Sequence, residues 1–152
     1  MPTIDKDNPG FRNFIYGDNG IAQKWLDEGS SGWRLDVADE LPMDFLEGFR
    51  NRVKNSSPEA LIIGEVWEDA SNKVSYGNLR NYCYGNTVDS VMNYPLRRAM
   101  LDFLCGITSS DEACDTLMSQ MENYPPQFLN AAMNLLDSHD RARLRTVPVS
   151  YT

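Results

Sequence analysis

Histidine and cysteine are scarce in this chain: His139 stands alone, and Cys83, Cys105 and Cys114 are the three cysteines among 152 residues. An odd number at irregular spacing gives no disulfide framework and no cysteine-based zinc pattern, and one histidine does not repair the deficit. Cys105 and Cys114 fall on apolar helical patterns and read as small core residues. Basic residues are also few, 14 Lys and Arg against 22 Asp and Glu, for a formal net charge of −8. That balance excludes a nucleic-acid backbone as partner and suits a neutral substrate. No apolar run approaches the roughly 20 residues that cross a bilayer, so no membrane partner is expected. The start, Met-Pro-Thr-Ile-Asp-Lys, lacks the apolar stretch of a signal peptide. The cytoplasm is therefore the default location, with secretion of a longer parent left open. G-x-S-x-G, Walker A and G-x-G-x-x-G motifs are missing too, which removes the usual serine hydrolase, P-loop and dinucleotide readings.

What remains is an ordinary globular composition, 41% hydrophobic and 24% charged, long enough for one domain over residues 1–152 with no second domain. Helical and strand patterns alternate along it. Residues 9–28 read as helix interrupted at 16–20, with Gly29 closing the second segment. A strand follows at 32–37. Pro42 opens a helix to about Asn55, with Phe45, Leu46, Phe49 and Val53 on one face. A second strand spans 60–66, a Gly- and Asn-rich stretch 71–86, and a third strand 89–93. Leu96–Leu104 reads as a helix. Ser110 caps another, whose Cys114, Leu117, Met118 and Met121 share a face. After a turn at Pro125-Pro126 comes a fourth strand, about Ala132–Leu136. This alternation implies an α/β fold with parallel pairing, whose functional groups gather beyond the carboxyl ends of the strands.

Three of the four strands deliver a carboxylate there: Asp36 in Gly32-Trp-Arg-Leu-Asp-Val-Ala-Asp-Glu40, Glu65 in Leu61-Ile-Ile-Gly-Glu-Val-Trp67, and Asp140 in Asn134-Leu-Leu-Asp-Ser-His-Asp140. Arg34 and Asp36, two residues apart, share one face of the first strand. Magnesium held by carboxylates for phosphoryl chemistry, in a small doubly wound domain, is one reading. It wants basic groups for phosphate, and near the strand ends there are Arg34, Arg141 and Arg143. Glycoside hydrolysis is the other, with one carboxylate attacking the anomeric carbon and a second protonating the leaving oxygen. Asp36 beside a cation stays ionised. Glu65 leaves a Leu-Ile-Ile run and is followed by Val66 and Trp67, apolar surroundings that disfavour charge. Asp140 is placed to steady a cationic ring or bind hydroxyls. Trp33, Trp67 and Tyr94 each have a packing reading beside a sugar-stacking one, and Arg143 a salt-bridge reading beside a rim contact. Glu40 and Glu68 read as solvated rim groups.

Gly32–Glu40, Leu61–Ala70 and Asn134–Arg143 resemble three of the four signature regions of the α-amylase family (glycoside hydrolase family 13). They are most similar to its neopullulanase, cyclomaltodextrinase and amylopullulanase-like members. Asp89–Leu96 resembles the sixth-strand segment of the same members. The resemblance implies a partial TIM (β/α)8 barrel, about four consecutive βα units covering strands four to seven, and α-glucosidic bonds as substrate. It implies Asp36 as nucleophile, Glu65 as acid/base and Asp140 as transition-state stabiliser. Arg34 would stand beside the nucleophile and His139 would donate to a sugar hydroxyl. Apart from the resemblance, Tyr94, Trp67 and Arg143 stand as substrate-binding candidates beside their packing and salt-bridge readings. No cofactor is implied, and calcium is left open because the family's usual sites draw on segments without a counterpart here. Two departures flank the sugar subsite: Asp137 replaces a small residue and Arg141 stands where Thr is usual. The first signature region, strands one to three and strand eight are not matched, so Met1 reads as an internal methionine or an introduced start. Exposed strand edges then predict self-association or a companion chain, and a silent carbohydrate-binding remnant is the rival to an enzyme.

Overall fold

Period-two alternation sets the sheet. In the computed structural model, which describes residues 4–147, strand β2 (Leu61–Gly64) turns Ile62 into the main core and Ile63 to the opposite face. Met1 lies outside the described residues. Before β2 come helices α1 (Pro9–Tyr16) and α2 (Ile21–Asp27), strand β1 (Gly32–Leu35), a short 3-10 turn at Ala38–Glu40, and helix α3 (Met43–Ser56). After it come a hairpin of β3 (Val74–Ser75) and β4 (Asn78–Leu79), a 3-10 turn at Tyr82–Tyr84, and β5 (Ser90–Asn93). Helices α4 (Tyr94–Leu104), α5 (Ser110–Asn123) and α6 (Pro126–Asn130) lead to β6 (Met133–Asn134). The four main strands are all parallel and lie in the order β1-β2-β5-β6. That order follows the chain without the reversal of a doubly wound sheet, so the fold is part of a TIM-type barrel.

Local chemistry explains the boundaries. The Asn8 side chain accepts from the Phe11 amide and Pro9 follows it, opening α1. Asn93 does the same for α4 through the Leu96 amide, with Pro95 behind it, so α4 starts directly at the end of β5. A reciprocal Ser109–Glu112 box opens α5, one residue before the predicted cap. Gly29 closes α2 at φ +97, a left-handed position that glycine adopts without penalty. Gly32 serves a close approach instead, since a Cβ there would lie 2.1 Å from the Leu61 carbonyl oxygen.

The main core lies between the sheet and the helices. Leu46, Phe49 and Val53 of α3 meet Ile62, Val66, Val88, Val91 and Tyr82, with Tyr124 and Phe128 closing the far end. Asp89 locks this layer: Arg50 Nη1 (2.7 Å) and Lys54 Nζ (2.8 Å) of α3 reach its two oxygens, and the Ile62 amide donates to it at 2.8 Å. On the other face a small apolar cluster joins Met92, Tyr94 and Leu135, with Ile63 packed against them.

Three expectations change. The stretch 71–86 holds the β3–β4 hairpin, turned at Tyr76 (φ +52) and Gly77 (φ +78), so the crossover from β2 to β5 carries no α-helix. The Pro125-Pro126 turn is the entry to α6. Cysteines 105 and 114 are not core residues: Cys105 terminates α4 and Cys114 is exposed. Met118 and Met121 share that exposed face of α5, while Gln120 is buried, donating to Asn93 Oδ1 at 2.8 Å. The apolar spacing marks a face correctly but does not say what covers it.

Candidate active site

Parallel register carries Asp36 and Glu65 to neighbouring positions. Leu35 pairs with Gly64, the Glu65 amide donates to the Leu35 carbonyl at 2.9 Å, and the Ala38 amide donates to the Glu65 carbonyl at 3.1 Å. The two carboxylates therefore leave adjacent strands side by side. Arg34, on the same face as Asp36, joins them: its Nη1 donates to Asp36 Oδ1, and its Nη2 lies 3.0 Å from Glu65 Oε1. The second contact is an ion pair without hydrogen-bond alignment, which leaves the buried Nη2 donor free for a better acceptor.

The environments of the two acids differ sharply. The Asp36 side chain is 72% exposed and that of Glu65 is 3% exposed. Glu65 is buried as its apolar neighbours in sequence suggested, but its oxygens are not bare. Oε2 accepts from the Val37 amide at 2.8 Å, and Oε1 accepts from Trp67 Nε1 at 3.1 Å. Among the described residues Oε2 accepts from the Val37 amide alone, which leaves it a lone pair for an incoming group.

Trp67 links this pair to the rest of the site. Its ring stacks on Tyr94 with centroids 4.7 Å apart and an interplanar angle of 16°, and the Arg141 guanidinium carbon lies 5.3 Å from the Trp67 centroid. The Tyr94 hydroxyl donates to Ser138 Oγ at 3.3 Å, which also accepts from the Asp140 amide at 3.3 Å. His139 Nε2 sits 3.1 Å from Asp140 Oδ2. Arg143 reaches Asp137 at 3.7 Å and the Ser138 carbonyl at 3.5 Å, the salt-bridge reading of that residue. A cleft of about 780 Å³ is lined by Trp67, Asp140 and Arg141 together with Tyr94, Arg97 and Leu101 of α4.

The predicted residues thus form two groups. Arg34, Asp36, Glu65, Trp67 and Tyr94 make one continuous chain of contacts; His139, Asp140 and Arg143 sit on the loop after β6, tied to it through Ser138. Among the described residues no hydrogen bond or ion pair joins Asp140 to Asp36 or Glu65, and those two carboxylates are not part of the cleft lining. Among the described residues, too, no group of three or more His, Cys, Asp or Glu side chains is placed to hold a metal ion. Trp33 packs edge-to-face on Phe49 at 5.8 Å. Glu40 accepts from the Tyr76 hydroxyl at 2.6 Å and Glu68 pairs with Lys73. Burial opposes the charge of Lys73, but Glu68 and Asp39 outweigh it and hold its ammonium above the ordinary value.

Arg97 was not singled out from sequence. It is 6% exposed and donates to the Leu136 carbonyl at 3.1 Å and the Ala142 carbonyl at 3.4 Å, bracing both ends of the Asp140 loop. Its signal was present: Tyr94, Arg97 and Leu101 recur at i, i+3 and i+7 on the buried face of α4. A charge within such a stripe needs partners.

Residues 1–150 match the family described as alpha amylase, catalytic domain. Neopullulanase 2 of Thermoactinomyces vulgaris is 36% identical over 147 residues, 96% of this chain and 23% of that protein. A cyclomaltodextrinase of a Bacillus species is 38% identical over 148 residues, 96% of this chain and 24% of its own length. The chain therefore spans about a quarter of these curated relatives. Among solved structures, the Nostoc punctiforme debranching enzyme in its native form superposes with a TM-score of 0.85 at 32% identity, covering 97% of this chain and 32% of that one.

Proposed function

The chain belongs to the α-amylase catalytic-domain family, and from that premise we propose that its carboxylates serve retaining hydrolysis of α-glucosidic bonds. The substrates are α-glucans: maltooligosaccharides, cyclodextrins, pullulan or starch. The observation that carries the reading is Arg34, whose one guanidinium donates to Asp36 and lies within ion-pair distance of Glu65 at adjoining strand ends. Retaining glycosidases need their two carboxyl groups only about 5–5.5 Å apart. A single fork touching both acids favours that geometry over the wider inverting one.

In the proposed reaction Glu65 gives its proton to the leaving glycosidic oxygen while Asp36 attacks the anomeric carbon, forming a glycosyl–Asp36 ester. Glu65, now a carboxylate, takes a proton from water, which attacks the same carbon and releases Asp36. Asp140 steadies the positive charge of the ring in both steps, and His139 donates to a sugar hydroxyl. Arg34 donates to Asp36 Oδ1 and orients that carboxylate. Tyr94, Trp67 and Arg143 line the sugar-binding wall.

Completion of the barrel is part of the same proposal. On the inner face Leu61 and Met133 are 48% and 46% exposed, and among the described residues β1 and β6 are edge strands. Unpaired parallel edges beside exposed apolar side chains favour pairing with a second copy or a companion chain. A second reading, a carbohydrate-binding remnant without turnover, is favoured by Arg141: its guanidinium covers a face of Trp67 that a sugar ring would otherwise use.

The test is turnover of a chromogenic maltooligosaccharide by the chain beside a Glu65→Gln variant. Activity lost in the variant supports hydrolysis with Glu65 as its acid. Binding of the oligosaccharide without turnover in either protein supports the remnant, and neither binding nor turnover refutes both readings.

A further inference from the structure

The turn that follows Asp36 is strained and held from two sides. Val37 sits at φ 41, ψ 61, a left-handed conformation that β-branched residues rarely adopt. Its side chain is 46% exposed, so packing does not hold it there. On one side, Glu65 accepts the Val37 amide on Oε2 and the Ala38 amide on its backbone carbonyl. On the other side stands Arg80, just after the β3–β4 hairpin and 7% exposed. Its Nη2 donates to the Ala38 carbonyl at 3.2 Å and the Leu41 carbonyl at 2.5 Å, and its Nε donates to the Tyr82 hydroxyl at 3.1 Å. Tyr82, fully buried, donates to Asp39 Oδ1 at 2.7 Å, and Lys73 sits 3.1 Å from Asp39 Oδ2. Burial and the Asp39 carboxylate both keep the Tyr82 phenol protonated, hence a donor.

A buried guanidinium spent on two backbone carbonyls of one turn is costly unless that turn has to stay where it is. We propose that the Arg80–Tyr82–Asp39 clasp is a positioning device that holds Val37 in its left-handed turn and thereby sets Asp36 against Glu65. This rests on the reading of Asp36 and Glu65 as the working pair. It gives the hairpin that replaces a crossover helix a role: it delivers Arg80 beneath the nucleophile's turn. None of the three residues touches the reacting atoms.

The experiment is amide hydrogen exchange on the isotope-labelled full chain, with Tyr82→Phe and Arg80→Lys each made in the native and in a Val37→Gly background. Losing one clasp bond is expected to speed exchange of the Val37 amide about tenfold and to shift the Trp67 indole N–H signal, which reports on Glu65 Oε1. The Ile62 amide, bonded to Asp89 rather than to the clasp, stays unchanged. In the Val37→Gly background, where left-handed backbone is free of strain, both effects shrink. Unchanged exchange at Val37, an unmoved Trp67 indole, or equal effects in the two backgrounds overturns the proposal. Arg80→Lys keeps the charge and serves if Tyr82→Phe fails to fold. These readouts need no turnover, so an inactive chain refutes the hydrolase reading without deciding this one. With activity present, the clasp variants lose kcat while KM holds, and a kcat equal to that of the native chain counts against positioning.

Discussion

Replacing Asp89 with Asn tests the lock between the helix layer and the sheet. Burial alone raises the Asp89 carboxyl, but hydrogen bonds from Lys54, Arg50 and the Ile62 amide outweigh it and hold it below the ordinary value. Its side chain is 15% exposed and those of Arg50 and Lys54 are 18% and 24% exposed, so solvent screening is limited. Asn keeps one acceptor, but its amide group turns two donors toward a site already filled by donors and leaves two cations unpaired. Breaking a largely buried pair of this kind costs about 3 kcal/mol, which for a chain of this length lowers Tm by roughly 6–12 °C. The pH dependence has a definite sign. Because the folded carboxyl titrates below the unfolded one, its contribution is complete above about pH 4 and is lost as pH falls through the depressed folded value. Thermal melts of both proteins are expected to differ most at neutral pH and to converge in acid. A Tm difference under about 2 °C at neutral pH, or one that persists undiminished in strong acid, would refute the reasoning.

Gly32→Ala drives a Cβ against the Leu61 carbonyl, so β1 has to leave β2; circular dichroism and melting are expected to show a loss above about 3 kcal/mol, and a native-like melt would show that the strands yield instead. Alkylation should order the cysteines by exposure and ionisation. Burial pushes the Cys83 thiol up to about 11, helped by Asp69, so near pH 8 it stays protonated, whereas Cys114 is exposed. Peptide mass spectrometry after brief iodoacetamide treatment should find Cys114 modified before Cys83, and the reverse order would contradict the packing around Tyr82–Tyr84.

Several parts of the fold and site were legible because they are local. Phe45, Leu46, Phe49 and Val53 recur at helical spacing, and the same four are the buried residues of α3. Apolar runs ending in Asp36 and Glu65 mark the carboxyl ends of two adjacent parallel strands, where they stand. The hairpin was not legible because Tyr76-Gly77 lacks the Asn-Gly or Asp-Gly signal of a tight turn, although its backbone adopts the positive φ angles such a turn needs. Met118 and Met121 share a side of α5 as their spacing indicates, but that side is exposed, because periodicity identifies a shared side and not its cover.

The chain by itself thus determined the α/β class, the strand ends that bear carboxylates, and the family, since all of these reside in short-range pattern. Tertiary structure decided which groups meet. Arg34 reaches Glu65 from a different strand, Arg141 lies over Trp67, and Arg80 reaches back across the hairpin to the turn beyond Asp36. These contacts join residues 31 to 74 positions apart. Their energies depend on distance, burial and alignment, quantities that exist only once parallel register has brought the strand ends together.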